Sequence, residues 1–226
     1  MESVDNYPDF VKDMNAVLQH VDCEWLNGAP PDYTLSNELY LKERLKVHMR
    51  GSLPDKVNNL IKNWERELSY KTNVTEWKTV VPTFRISVNG GAWLTIPDLL
   101  KIGAYNAFIG DSEFYCASRV SDPRQSHKIF RTALGSGFGW ECLETYSELP
   151  TIVFKWRHWG NVTGEFKCPM RNGRDVQVSP IGNRVEIFGI SKILVNKNFQ
   201  IVEMENYFRP DQMMEQIIKG STDQSC

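Results

Sequence analysis

Ser52-Leu53-Pro54-Asp55-Lys56-Val57-Asn58-Asn59-Leu60-Ile61-Lys62-Asn63-Trp64-Glu65-Arg66-Glu67-Leu68 is the clearest helix in the sequence. Leu53, Val57, Leu60, Ile61, Trp64 and Leu68 recur at helical spacing and mark one apolar face over about four turns. Ser52 and Asp55 read as a capping box, and Pro54 suits a first turn, where no N–H is needed. A stripe this long needs a broad partner. The sequence supplies a sheet directly after it.

From about residue 76 the period changes to two. Phe84, Ile86 and Val88 alternate with Arg85 and Ser87, and Asn89-Gly90-Gly91 reads as a hairpin turn. Thr95-Ile96-Pro97-Asp98 caps a short helix through Leu99, Leu100 and Tyr105. Residues 110–127 look like a polar surface insertion. Strands are expected at 139–146, 151–159, 184–195 and 200–208, with the glycine-rich stretch 160–183 as a long loop. Pro210 opens a last helix carrying Met213, Met214, Ile217 and Ile218 on one side. Upstream of the central helix, Phe10, Val11, Met14, Val17, Leu18 and Val21 read as a helix after Pro8. Asn27-Gly28-Ala29-Pro30-Pro31 reads as a loop, and 35–47 as a second helix.

This order predicts an α+β fold: a cystatin-like cone in which N-terminal helices pack on a strongly curved, mostly antiparallel sheet that encloses a pocket. One domain is expected over 24–220, preceded by a helical extension over 1–23 and followed by a tail over 221–226.

Composition excludes several function classes. Lys and Arg number 26 against 28 Asp and Glu, so no electrostatic drive toward nucleic acid or an anionic membrane exists. No apolar run reaches the roughly 18 residues that cross a bilayer. Five cysteines with no CxxC pair, and an acidic, polar start, point to a reducing, cytoplasmic setting. His20, His48, His127 and His158 form no metal-ligand motif, so neither a metal nor a cofactor is expected.

Particular strings resemble the plant-type pathogen-related protein family. They are Asn27-Gly28-Ala29-Pro30-Pro31, Gly51-Ser52-Leu53, Trp64 with Glu67-Leu68-Ser69, and Val88-Asn89-Gly90-Gly91. Gly103 with Tyr105-Asn106-Ala107, Phe138 with Trp140-Glu141, and above all Phe154-Lys155-Trp156-Arg157-His158-Trp159-Gly160 complete the set. The resemblance implies a cone of the SnoaL-like, nuclear-transport-factor-2-like kind. It carries no catalytic set, because the family name describes no reaction. The wider SnoaL-like group includes cofactor-independent cyclases, isomerases, dehydratases and epoxide hydrolases, together with binding proteins.

A cone of this kind must act through side chains that reach inward. Alternation puts Arg157 and Trp159 on one face of their strand, and Phe154, Trp156 and His158 on the other. On the last strand Glu203, Glu205 and Tyr207 share a face. If that face is inward, Glu205 or Glu203 is the general base, and Arg157, His158 or Tyr105 orients the substrate. The alternative is that Arg157 and Glu205 form a structural ion pair, or that the polar face is solvated and the apolar face is core. Trp140, Trp156, Trp159, Tyr207 and Phe188 are the candidate ligand-binding residues. The functions expected are acid–base chemistry on a small hydrophobic metabolite, as in a cyclase, isomerase or dehydratase; non-catalytic binding of such a ligand; or protein–protein interaction through a free sheet face. Cones of this kind often pair through their sheets, so a homodimer is one assembly open to the chain.

Overall fold

The computed structural model describes residues 7–219. Six α-helices and eight strands follow in the order α1 (Thr34–Glu43), α2 (Leu53–Tyr70), β1 (Val80–Val88), β2 (Leu94–Thr95), α3 (Ile96–Ile102), α4 (Ala104–Ile109), α5 (Pro123–Ala133), β3 (Phe138–Thr145), β4 (Thr151–Asn161), β5 (Phe166–Pro169), β6 (Asp175–Val178), β7 (Arg184–Val195), β8 (Ile201–Phe208) and α6 (Pro210–Lys219). Six strands make one sheet in the order β2-β1-β8-β7-β4-β3. Its neighbours are antiparallel except β1 and β8, which run parallel. The architecture is the α+β cone, with α2 inside the curve.

Twelve of the eighteen α2 residues are buried, among them polar ones that no single apolar stripe accounts for. For Asn59 and Asn63 the cause lies upstream. Residues 7–23 form two short 3-10 turns, Asp9–Val11 and Ala16–Gln19, rather than the helix expected there. Phe10, Val11, Ala16 and Val17 are buried against α2. Asn63 bridges the two segments: Nδ2 donates to the Phe10 and Asp13 carbonyls, and Oδ1 accepts from the Val17 amide. Pro8, Asp13 and Asn15 are turn formers, and they prevail over the helical spacing of the apolar residues.

Other differences have similar local causes. The α2 cap is displaced: Asp55 Oδ2 accepts from the Gly51 amide at 2.8 Å, and Ser52 makes no side-chain cap. Thr95 and Asp98 do form a capping box at α3. Gly103, at φ 91°, divides the expected single helix into α3 and α4. The stretch 110–127 runs into α5, capped by Asp122 and started by Pro123, with Phe130 and Ala133 in the core. The glycine-rich stretch 160–183 holds a second, two-stranded sheet of β5 and β6.

The lower half of β7 extends beyond β8, and α6 covers it. The Gln216 amide takes the ladder's place there, accepting from the Glu186 N–H and donating to the Glu186 carbonyl. Among the described residues no helix is long and apolar enough to cross a membrane. Cys23, Cys116, Cys142 and Cys168 are free thiols; Cys226 lies outside the described residues, as does the expected tail.

Candidate functional site

The lining of one cavity shows which face of β4 is inward. Phe154, Trp156 and His158 point into the cone, where they meet Phe138 and Trp140 of β3, Ile187 and Ser191 of β7, and Met204, Asn206 and Phe208 of β8. From the helical side come Tyr33, Tyr40 of α1, Lys62, Glu65 and Arg66 of α2, and Tyr105 and Phe108 of α4. Together these enclose a largely apolar cavity of about 190 Å3. A cavity of about 150 Å3 holds one benzene ring. The chamber therefore suits one ring with a small substituent.

Two titratable groups dominate its chemistry. Glu65 is the one carboxylate of the lining among the described residues. Its Oε2 accepts from the Tyr33 hydroxyl at 2.6 Å and its Oε1 from Ser69 Oγ at 3.0 Å. His158 stacks on Phe138, with ring centroids 3.5 Å apart. Its Nδ1 lies 2.6 Å from the Gly139 carbonyl, an acceptor only, so Nδ1 carries the proton and Nε2 presents a lone pair. Burial pulls its pKa down to about 4, against smaller upward pulls from the Gly139 hydrogen bond and from Glu65. The imidazole is neutral at pH 7. Burial also holds the Tyr105 phenol well above its ordinary range, with Glu65 adding to the shift, so Tyr105 is a donor. Trp156 Nε1 donates to Ser191 Oγ, which donates to Asn206 Oδ1, leaving the Asn206 amide NH2 as a further donor on the β8 wall.

The remaining expected residues fall elsewhere. Glu203, Glu205 and Tyr207 face outward on the convex side of β8, which corrects the reading of that face as a catalytic interior. Glu203 pairs with Arg85, and Glu205 with Lys192 at 2.8 Å and with the Tyr207 hydroxyl. Phe188 is also on the convex side and is 43% exposed. Arg157 is buried on that side but pairs with Glu141 and Glu186, not with Glu205. Trp159, fully buried, lies under the Arg157 guanidinium and not in the cavity wall. The alternation along β4 and β8 was sound; the inward face of β8 is the one bearing Met204 and Asn206. Of the expected residues, His158, Tyr105, Trp140 and Trp156 come together in the cavity.

Glu65, Lys62 and Arg66 were missed. They border the apolar stripe of α2, where charged residues ordinarily meet solvent. The available signal was their place on the flank of a helix expected inside a cone. Among the described residues, no group of three or more His, Cys, Asp or Glu side chains is arranged to hold a metal ion.

The chain is 35% identical over 192 residues to the pathogen-related protein of Hordeum vulgare, covering 81% of this chain and 77% of that one. No family model matches. Among solved structures it is similar to a "putative polyketide cyclase" of Acidithiobacillus ferrooxidans (TM-score 0.44, 12% identity, 76% of this chain and 99% of that one). It is also similar to a "putative SnoaL-like polyketide cyclase" of Jannaschia sp. (0.39, 17%, 76% and 97%). A third is a Catenulispora acidiphila protein of ketosteroid isomerase-like fold (0.35, 8%, 70% and 90%).

Proposed function

The chain belongs to the pathogen-related protein family, and we propose that this member takes one small, ring-bearing metabolite into its cone and moves a proton on it. The observation that carries this reading is the placement of Glu65 on α2 and neutral His158 on β4 in the walls of one apolar cavity. A base beside an apolar chamber abstracts a proton from carbon next to a carbonyl; a donor then holds the oxyanion that forms. Glu65 or His158 Nε2 is the base, and Tyr105 and the Asn206 amide are the donors. Return of the proton at another carbon completes an isomerisation, and attack of the new carbanion on a second carbonyl completes a cyclisation.

A second reading is non-catalytic binding. It is favoured by the engagement of both Glu65 oxygens with Tyr33 and Ser69, which ties the carboxylate to its own wall. The test is metabolite profiling of extract incubated with wild type, Glu65→Gln and His158→Asn. Conversion by wild type alone supports the catalytic reading. Retention of one metabolite by all three proteins without conversion supports the binder. No depletion and no retention by any of the three would reject both.

A further inference from the structure

We propose that the cavity is built for an organic anion, a ring-bearing carboxylate whose charged end is received by Lys62 and Arg66. The inference rests on the cone being a ligand chamber and adds the substrate class.

Four cationic side chains are buried among the described residues: Lys62, Arg66, Lys71 and Arg157. Two of them follow the rule that a buried charge is paired. Lys71 meets Glu67 at 2.9 Å, and Arg157 meets Glu141 at 2.9 Å. The other two are the ones that line the cavity, and neither forms an ion pair with a carboxylate. Lys62 Nζ lies 2.8 Å from the centroid of the Tyr40 ring and 3.7 Å from Met14 Sδ, partners that bear no charge. Arg66 Nη2 donates to Asn37 Oδ1, while its Nε and Nη1 have no acceptor at all.

The two residues are four apart on α2, so they stand on one helix face, one turn from each other. The charges acting on Lys62 deepen the imbalance. Arg66 and Arg44 repel it, and Glu141 attracts it, but Glu141 already serves Arg157 and the amides of Leu45 and Lys46. Burial accordingly drives the Lys62 amine well below its ordinary pKa. Arg131 adds a third cation to the lining, against Glu65 alone. A wall with three cations, one carboxylate and two orphaned guanidinium nitrogens lacks an anion. A carboxylate supplies one, with a planar pair of oxygens for the guanidinium and a lone pair for the amine. The apolar remainder of the cavity takes the ring.

The test compares 4-methylbenzoate with its near-isosteric neutral amide, 4-methylbenzamide, by ligand-observed NMR titration of the full chain and of Lys62→Met. The expected result is that the acid binds at least about tenfold more tightly than the amide, and that Lys62→Met narrows the difference. Equal binding of acid and amide would overturn the anion assignment while leaving the chamber intact. An undiminished preference in Lys62→Met would overturn the role of Lys62. Failure of both compounds to bind wild type would remove the chamber and the inference together. The comparison on wild type stands by itself if the variant does not fold.

Discussion

Arg157 on β4 donates from Nη1 to Glu141 on β3 at 2.9 Å, across directly opposed strand positions, with both side chains almost wholly withdrawn from solvent. Nε of the same guanidinium reaches Glu186 on β7, and Nη1 also reaches the carbonyl of Glu43. The amides of Leu45 and Lys46 fill the other side of Glu141. One buried pair thus ties three strands to the chain leaving α1. Breaking such a pair strands a buried charge. Arg157→Leu is expected to cost about 3–5 kcal/mol in urea unfolding.

The convex carboxylates should behave oppositely. The Arg85–Glu203 pair is substantially solvent-exposed, and exposed pairs contribute at most about 1 kcal/mol. Glu203→Gln and Glu205→Gln are therefore expected to leave the melting profile and any turnover near wild type. Loss of turnover in either variant would return the active face to the outside of the sheet.

Lys62→Met is expected to raise stability by about 0.5–2 kcal/mol, the usual scale when a residue kept at a stability cost is replaced. The thioether fits the buried path of the lysine stem, and the repulsion from Arg66 and Arg44 disappears. Denaturant midpoints of the two proteins decide it.

His158 makes stability depend on pH. Its folded pKa, about 4, lies below the ordinary 6.5. The contribution is therefore fully present above about pH 6.5 and is lost as pH falls toward 4, because only the unfolded chain takes up the proton. The full effect is roughly 3 kcal/mol. His127, also lowered by burial, acts in the same direction. Stability of His158→Asn should fall less steeply than that of wild type between pH 6.5 and 4.

Gly189 lies directly opposite Trp156, and a Cβ there would strike the indole ring. Gly189→Ala should push the ring toward the cavity, strain its hydrogen bond to Ser191 and cost about 1–3 kcal/mol. Tryptophan fluorescence and unfolding midpoints report the two effects.

The legible parts of the fold were those that local chemistry specifies. The α2 stripe, the turn at Asn89-Gly90-Gly91, the Thr95/Asp98 box and the runs that became β3, β4, β7 and β8 lie close to where their spacing puts them. The segment before α1 misled because its apolar residues keep helical spacing while bending around turn residues. In α5 and in β5–β6, the apolar positions are too few for periodicity to register, and Phe130 and Phe166 become core only through contacts distant in sequence.

The sequence by itself determined the α+β order, the alternation of faces along each strand and the pathogen-related identity, since these depend on residue type and spacing. Tertiary structure alone decided which face is inward. A period of two separates Arg157 from His158 and Glu205 from Asn206, but it is symmetric between the two sides of a sheet. Only the sense of the sheet's curvature around α2 breaks that symmetry, sending His158 and Asn206 into the cavity and leaving Glu205 to Lys192 and water.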